Sequence, residues 1–172
     1  QTLKNAWVIK EIRNKILFTV MIIMIFRIGS VIPVPFVDTA ALKAGATNEF
    51  FNYLSILTGG GLEYGAIFAL SVTPYINSSI IMQLLTIAIP ALERLSKEGE
   101  EGRKKIATYT RYLTVVLAFI QASGLYAALQ ASVAQTGFLS FITIVLTFTA
   151  GTAFLMWLGE KITEKGVGNG IS

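Results

Sequence analysis

The sequence predicts an all-α membrane protein with four transmembrane helices and a half-inserted segment between the first two. Long uncharged apolar blocks alternate with short charged clusters along its 172 residues, of which 53% are hydrophobic. Charged residues make up only 14% of the chain, whereas soluble domains carry roughly a quarter. An apolar stretch of about 20 residues crosses the hydrocarbon core of a bilayer as a helix. The composition and its segregation therefore exclude an ordinary soluble domain.

The chain begins with a polar stretch that leads into a first apolar block. Residues 1–15 carry four basic residues and one acidic residue, a pattern typical of an amphipathic segment at a membrane surface. This stretch is too polar for a signal peptide. Residues 16–34 form the first predicted span, which the two prolines Pro33 and Pro35 close.

Arg27 is the one charged residue inside the first predicted span. Its guanidinium either extends to the membrane surface or faces the protein interior. In the second case it would donate to Glu63 or to main-chain carbonyls of residues 59–61. Because charges within a membrane are costly and usually face a partner, we favour a buried Arg27.

The second apolar block is interrupted by a proline. Residues 66–73 make an apolar piece of eight residues, which is too short to cross a membrane. Pro74 lacks an amide N–H and its ring clashes with the preceding turn, so a helix is expected to break there. The sequence thus predicts a half-inserted piece followed by a full span over residues 74–91. Protein or water must surround the break, since lipid does not tolerate irregular backbone.

Two further spans follow a strongly charged stretch. Residues 92–105 contain nine charged residues and are predicted to form a loop outside the membrane. Residues 106–129 and 138–158 are apolar and form the third and fourth predicted spans. Residues 159–172 form a polar exit from the last span.

The basic residues predict the orientation of these spans. Residues 1–15, the charged stretch up to residue 111 and the C-terminal tail lie on one side, where they hold twelve of the fourteen Lys and Arg residues. Because cytoplasmic loops are enriched in Lys and Arg, we expect both ends of the chain in the cytoplasm. The same cationic surface would suit anionic lipid or an RNA-rich cytosolic partner.

The composition disfavours catalysis and cofactor binding. The chain has no histidine, no cysteine and a single aspartate, so it lacks imidazole bases, thiolates and an aspartate pair. The stretch TGGGLEYG does not end in Gly-Lys-Ser or Gly-Lys-Thr and is not a phosphate loop. Gly166, Gly168 and Gly170 follow a helix and indicate a flexible exit. We therefore expect no enzyme activity, no cofactor and no metal.

The span over residues 74–91 is more polar than a lipid-facing helix should be. Asn77, Ser78, Ser79 and Gln83 lie among isoleucine and leucine residues. These side chains either bind a neighbouring helix, as polar side chains in membrane bundles routinely do, or line a pathway for varied surfaces. Periodicity alone leaves both interpretations open.

Four sequence motifs together resemble one family. They are FRIGSVIPVP at residues 26–35, TPYINSSIIMQLL at 73–85, EGEEGRKKIATYTRY at 98–112 and GTAFLMWLGEKITEKGVGNGIS at 151–172. In this order they resemble the SecY family, the pore-forming subunits of bacterial protein translocases. The resemblance implies a clamshell of ten helices in two halves around an hourglass pore. This chain matches the first four helices of that fold, so we expect it to be the N-terminal part of a longer protein.

The resemblance also implies roles for individual residues. Val72 and Ile76 match two positions of the aliphatic pore ring. The segment over residues 57–70 matches the half-inserted plug helix that seals the resting pore, with the plug residues Leu57, Gly59, Gly60, Gly61, Leu62 and Tyr64. One wall of the lateral gate, which receives signal sequences, matches Asn77, Ile80, Gln83 and Ile87. This favours the pathway interpretation of the polar stripe.

The implied function is a channel that passes unfolded secretory polypeptides and releases transmembrane segments sideways into the bacterial plasma membrane. The implied partners are SecE and SecG in the membrane, the missing C-terminal half, and signal sequences and nascent polypeptides. Arg103, Lys104 and Lys105 would contact the motor ATPase SecA or a translating ribosome. The alternative function, from a different class, is a membrane scaffold without conductance of its own.

Overall fold

The computed structural model describes residues 9–40, 42, 52–53, 55–56, 58–130, 133 and 137–170. The helices that lie wholly within this part are α1 Lys10–Gly29, α2 Thr73–Ala88, α3 Pro90–Lys97, α4 Glu100–Ala128 and α5 Phe138–Lys165. Over the same residues the chain has no strand, and its β-structure is limited to two isolated bridges. The predicted all-α class is therefore confirmed.

Helix α1 begins and ends earlier than the predicted first span. Residues 10–15, which were assigned to the surface segment, are helical and continue without a break into the apolar block. The helix ends at Gly29: Val31 N donates to Ile28 O and not to Arg27 O, and Pro33 has no amide N–H to bond Gly29 O. Every 18-residue stretch of α1 holds at least three charged residues. A full crossing by α1 thus remains a prediction.

Among the described residues, two helices, α4 and α5, are long and apolar enough to cross a membrane. Helix α2 has 16 residues and rises about 24 Å, less than the roughly 30 Å of a bilayer core. Together with α3 it would count as a third span only if the pair, bent by 102°, were one broken crossing. The number of four spans remains a prediction, whereas the start of α2 beside Pro74 agrees with the predicted break.

The predicted loop over residues 92–105 is mostly helical, and its position outside the membrane remains a prediction. Helix α3 ends at Lys97 and α4 begins at Glu100, so only a short turn separates them. Gly99 makes this turn with φ of 85°, a conformation that favours glycine. The charges support the helices: Lys97 Nζ donates to Glu93 Oε1 across 2.6 Å, and the first turn of α4 holds two glutamates.

The helices pack side by side in the order α1, α5, α4 and α2, and α3 lies against α2 and α4. Helix α5 is the central element because it contacts α1 on one side and α4 on the other. Among the described helices, α1 and α2 do not contact each other. This leaves one side of the bundle open between them.

Residues 58–72, here called the glycine-rich segment, form consecutive turns instead of the predicted half-inserted helix. Positive φ angles of 63°, 85° and 54° at Gly59, Gly60 and Gly65 are incompatible with a right-handed helix. Backbone hydrogen bonds also attach the segment to residues 32–34. Val34 N donates to Gly65 O at 2.9 Å, and Ile67 N donates to Ile32 O at 3.1 Å. These long-range bonds satisfy backbone groups that a helix would have paired locally.

The glycine-rich segment lies in the core of the bundle. One buried cluster joins Leu62 and Ala69 of the segment to Val34 and to side chains of α4 and α5, among them Ala122, Tyr126, Ile144, Val145 and Phe148. A second cluster joins Phe68 of the segment to Ile22 of α1 and to Leu155 and Leu158 of α5. The segment thus fills the space between α1 and the α4–α5 pair.

Candidate functional site

Helix α2 has one face towards α4 and another that is exposed. Pro74, Ser78 and Met82 are spaced by four residues and are its buried residues. Ile76 and Ile80 lie on the opposite side and are 41% and 51% exposed. Since the helix repeats every 3.6 residues, this division follows directly from its packing against α4.

A hydrogen bond joins the buried face of α2 to α4. Ser78 Oγ lies 2.8 Å from Thr114 Oγ1, and both residues are fully buried. For Ser78, therefore, the helix–helix interpretation of the polar stripe is correct. Gln83 differs, because its Nε2 donates to Ser79 Oγ of the same helix at 3.4 Å.

The residues assigned to the gate wall line two separate grooves. Asn77 and Ile80 line a groove of about 280 Å³ between α2 and α4, together with Leu117 and Gln121. Gln83 and Ile87 line a groove of about 530 Å³, where α2, α3 and the start of α4 meet. Arg103, one of the three predicted cytosolic contact residues, lines the second groove as well. Lys104 and Lys105 follow it on α4 and are exposed.

The two residues assigned to the pore ring flank the start of α2. Val72 ends the glycine-rich segment and packs against the cluster of Ile22 and Phe68. It lines a cavity of about 400 Å³ between α1, α5 and residues 167–170. Ile76 follows one helical turn later and is exposed. Because Val72 and Ile76 are four residues apart, their branched side chains are neighbours one helical turn from each other.

The residues assigned to the plug fall into two groups. Gly59 is exposed and Tyr64 is 40% exposed, whereas Gly61 and Leu62 are buried. Gly60 is half-buried, and Leu57 lies outside the described residues. The exposed tip is held by side-chain hydrogen bonds that the sequence analysis missed: Ser55 Oγ donates to Glu63 Oε1 at 2.8 Å, and Leu62 N donates to Thr58 Oγ1 at 3.2 Å.

A stack of four aromatic rings crosses the bundle at the glycine-rich segment. Phe68 stacks on Phe26 of α1 and on Phe154 of α5, with ring centroids 5.9 Å and 6.1 Å apart. Phe154 stacks in turn on Trp157 at 5.9 Å. The ring of Phe68 occupies the place that a side chain at Gly29 would need. Sequence analysis missed the stack because its members come from three distant parts of the chain.

Arg27 is exposed within the described part of this chain, so its burial remains a prediction. Its side chain is exposed on α1, one turn beyond Ile23. Glu63, one of its predicted acceptors, instead accepts the hydrogen bond from Ser55. The reason is geometric: Phe26, and not Arg27, faces the glycine-rich segment.

An ion pair between α4 and α5 is a further feature that the sequence analysis did not find. Arg111 Nε donates to Glu160 Oε1 at 2.8 Å, and the Glu160 side chain is only 20% exposed. Tyr75, which lies between the two predicted ring positions, lines the same cleft as this pair. Conversely, no group of three or more His, Cys, Asp or Glu residues that could hold a metal occurs in the described part of the chain.

Comparison with known proteins gives consistent matches. A family profile described as SecY matches residues 66–172. The chain is 46% identical to the "Protein translocase subunit SecY" of Bacillus subtilis (strain 168), which it matches over 100% of its own length. It is 47% identical to the subunit of the same name from Escherichia coli (strain K12), over 94% of its length. The chain spans about two fifths of these relatives, 41% and 39%.

Solved structures share the fold. The structure described as "Sec61 in the Canine ribosome-channel complex from the endoplasmic reticulum" matches with a TM-score of 0.69 and 22% sequence identity. The match covers 92% of this chain and 34% of that one. A second structure, "The structure of a protein conducting channel", matches to the same extent.

Proposed function

Since the chain belongs to the SecY family, we propose that it forms the N-terminal part of a channel for unfolded secretory polypeptides. Transmembrane segments would leave this channel sideways into lipid. The observation that carries the proposal is the position of the glycine-rich segment, which packs between α1 and the α4–α5 pair and ends where α2 begins. Irregular backbone of this kind survives within a membrane only beside protein or a water-filled cavity.

Val72 and Ile76 form this half's share of an aliphatic seal. This assignment is supported by their position at the junction of the glycine-rich segment with α2, where they lie one helical turn apart and Ile76 is exposed. A ring of branched apolar side chains closes around a moving chain without binding it strongly. It also hinders ions, because a narrow apolar constriction loses its water.

The tip of the glycine-rich segment acts as the plug. Gly59 and Gly60 adopt positive φ, so this tip can change direction at little steric cost. Leu62 is buried in the core and would hold the base of the plug in place. Tyr64 contributes an exposed ring to the outer surface of the seal.

The exposed side of α2 forms one wall of the lateral gate. Asn77 and Ile80 would meet a signal sequence in the groove beside α4, and Gln83 and Ile87 would meet it near the bend between α2 and α3. A wall of mixed polar and apolar residues suits a seam that opens to lipid and closes again.

The chain is part of a multi-pass membrane protein, and we assign it to the plasma membrane of a bacterium with both ends in the cytoplasm. In that orientation Arg103, Lys104 and Lys105 face SecA or a ribosome, and anionic lipid would lie beside them. SecE, SecG and the C-terminal half of the same protein would cover the open side between α1 and α2. The nearby relatives are named translocase subunits, and no cofactor enters this proposal.

A site-specific photo-crosslinker at Ile76 tests the proposal in the full-length channel. A secretory chain stalled during export should form adducts with a probe at Ile76, and a probe at Phe138 on the far side of the bundle should give none. If the chain were a scaffold without conductance, the Ile76 probe would also form no adducts. Deletion of residues 60–64 should raise the resting ion leak of the same channel, and an unchanged leak would contradict the plug assignment.

A further inference from the structure

The hydrogen bond between Ser78 and Thr114 lies at the centre of the contact between α2 and α4. Both residues have no exposed surface, and their hydroxyl oxygens are 2.8 Å apart. Thr114 Oγ1 also donates to Thr110 O of its own helix at 2.7 Å. Its oxygen is therefore placed to accept from Ser78, whose Oγ also donates to Thr110 O of α4 at 3.4 Å.

Apolar packing by itself does not fix the rotation of α2. In a membrane, neighbouring lipid tails are as apolar as leucine, so no hydrophobic force drives one apolar face of a helix inwards. On one side of the buried face, Ile81, Leu84 and Ile80 lie about 60°, 120° and 160° from Ser78 around the helix, and they are 37%, 61% and 51% exposed. A rotation of α2 towards this side would bury more aliphatic surface. It would, however, break the hydrogen bond of Ser78.

We propose that Ser78 and Thr114 are positioning residues, which fix the rotation of α2 on α4 and thereby direct the pore-ring and gate residues. Successive residues of a helix are separated by about 100°, so Ile76 and Ile80 each lie about 160° from Ser78. The bond at Ser78 therefore keeps Ile76 and Ile80 out of the buried contact with α4 and leaves them exposed. It also keeps Asn77 at the edge of the α2–α4 groove. This inference rests on the proposed function, which assigns these residues to the pore ring and the gate. The rotation of α2 on α4 can be tested separately.

The test uses a cysteine-free full-length channel in membranes, with Asn77→Cys and Gln121→Cys on the two sides of the groove. A short bismaleimide joins the two thiols, and the rate of cross-linking is measured in the assembled channel. Ser78→Ala and Thr114→Val should each change this rate by about threefold, the size expected for one interhelical hydrogen bond in a membrane. Thr114→Ser keeps the hydroxyl and should retain the parent rate.

Ser123→Ala is the matched control. Ser123 Oγ donates only to Phe119 O of its own helix in the described structure, so its loss should leave the cross-linking rate unchanged. The proposal is overturned if Ser78→Ala and Thr114→Val keep the parent rate in the assembled channel, even if less channel assembles. In that case Ser78 and Thr114 would stabilise the contact between α2 and α4 without fixing the rotation of α2. Failure of the Ile76 probe to reach a stalled chain would instead count against the proposed function, because the cross-linking rate does not depend on transport.

Discussion

Arg111 on α4 and Glu160 on α5 form an ion pair across the contact between these two helices, with Nε and Oε1 2.8 Å apart. The arginine side chain is 48% exposed and the glutamate side chain 20% exposed, so solvent screens part of the attraction. Tyr75 lines the cleft above the pair, at the start of α2. The pair therefore joins the two long helices at the level where the glycine-rich segment gives way to α2.

Reversing this ion pair should preserve its contribution to stability. We expect Arg111→Glu and Glu160→Arg each to lower the free energy of unfolding, because each places like charges together. The double variant should recover stability, with a coupling of about 0.5–1 kcal/mol. Chemical unfolding in detergent measures the cycle. If the stability losses of the two single variants simply add in the double variant, the prediction is contradicted. The Lys161–Glu164 pair within α5 provides a control.

Gly151 should not tolerate a side chain. A methyl group there would overlap the carbonyl oxygen of Ile67, which lies beside the residues that tie the glycine-rich segment to residues 32–34. Gly151→Ala should therefore lower the free energy of unfolding by about 1–3 kcal/mol, the usual effect of overpacking.

The matched control is Gly124→Ala on α4. Apart from its chain neighbours and its own helix backbone, no described atom lies within 4 Å of the position that its side chain would take, so alanine should leave stability unchanged or raise it by about 0.5–1 kcal/mol. Thermal unfolding in detergent compares the two variants. If the two variants were equally stable, Ile67 could move away from residue 151 at little cost. That result would contradict the close packing of the glycine-rich segment on α5.

Thr152 should be replaceable by valine without loss of stability. Its hydroxyl is buried and has no hydrogen-bond partner among the described residues. An unpaired buried hydroxyl costs about 1–3 kcal/mol, so Thr152→Val, which keeps the shape, should be neutral or stabilising. Thr149→Val is the control on the same helix: Thr149 Oγ1 donates to Val145 O at 2.8 Å, so valine should be less well tolerated there. Unfolding of both variants in detergent tests the difference, and a loss for Thr152→Val alone would refute it.

The break before α2 could be predicted from the sequence because it depends on a local property of one residue. Pro74 has no amide N–H wherever it is placed, and α2 indeed begins beside it. The turns over residues 58–72 could not be predicted in the same way. They depend on hydrogen bonds from the main chain of residues 32–34, about thirty residues away, and on the space that Gly29 leaves for Phe68.

Charge patterns were also an incomplete guide. The cluster over residues 92–105 was interpreted as a loop because charged residues favour water, but the i,i+4 spacing of Glu93 and Lys97 equally suits a helix. For Arg27, the sequence could not show which residue of α1 faces the glycine-rich segment. That depends on how α1 packs against α5. Similarly, the partner of Ser78 became known only once α2 and α4 were placed together.

The hydrogen bonds between residues 32–34 and 65–67 have a consequence for how this region can change over evolution. Because these bonds hold Val34 beside Gly65, the chain at Gly65 has returned to the place where it stood at Val34. Doubling the length of such a closed loop adds only about 0.6 kcal/mol of entropic cost. Insertions between Val34 and the glycine-rich segment should therefore be tolerated among homologues, while the spacing from Gly65 to Pro74 should stay constant.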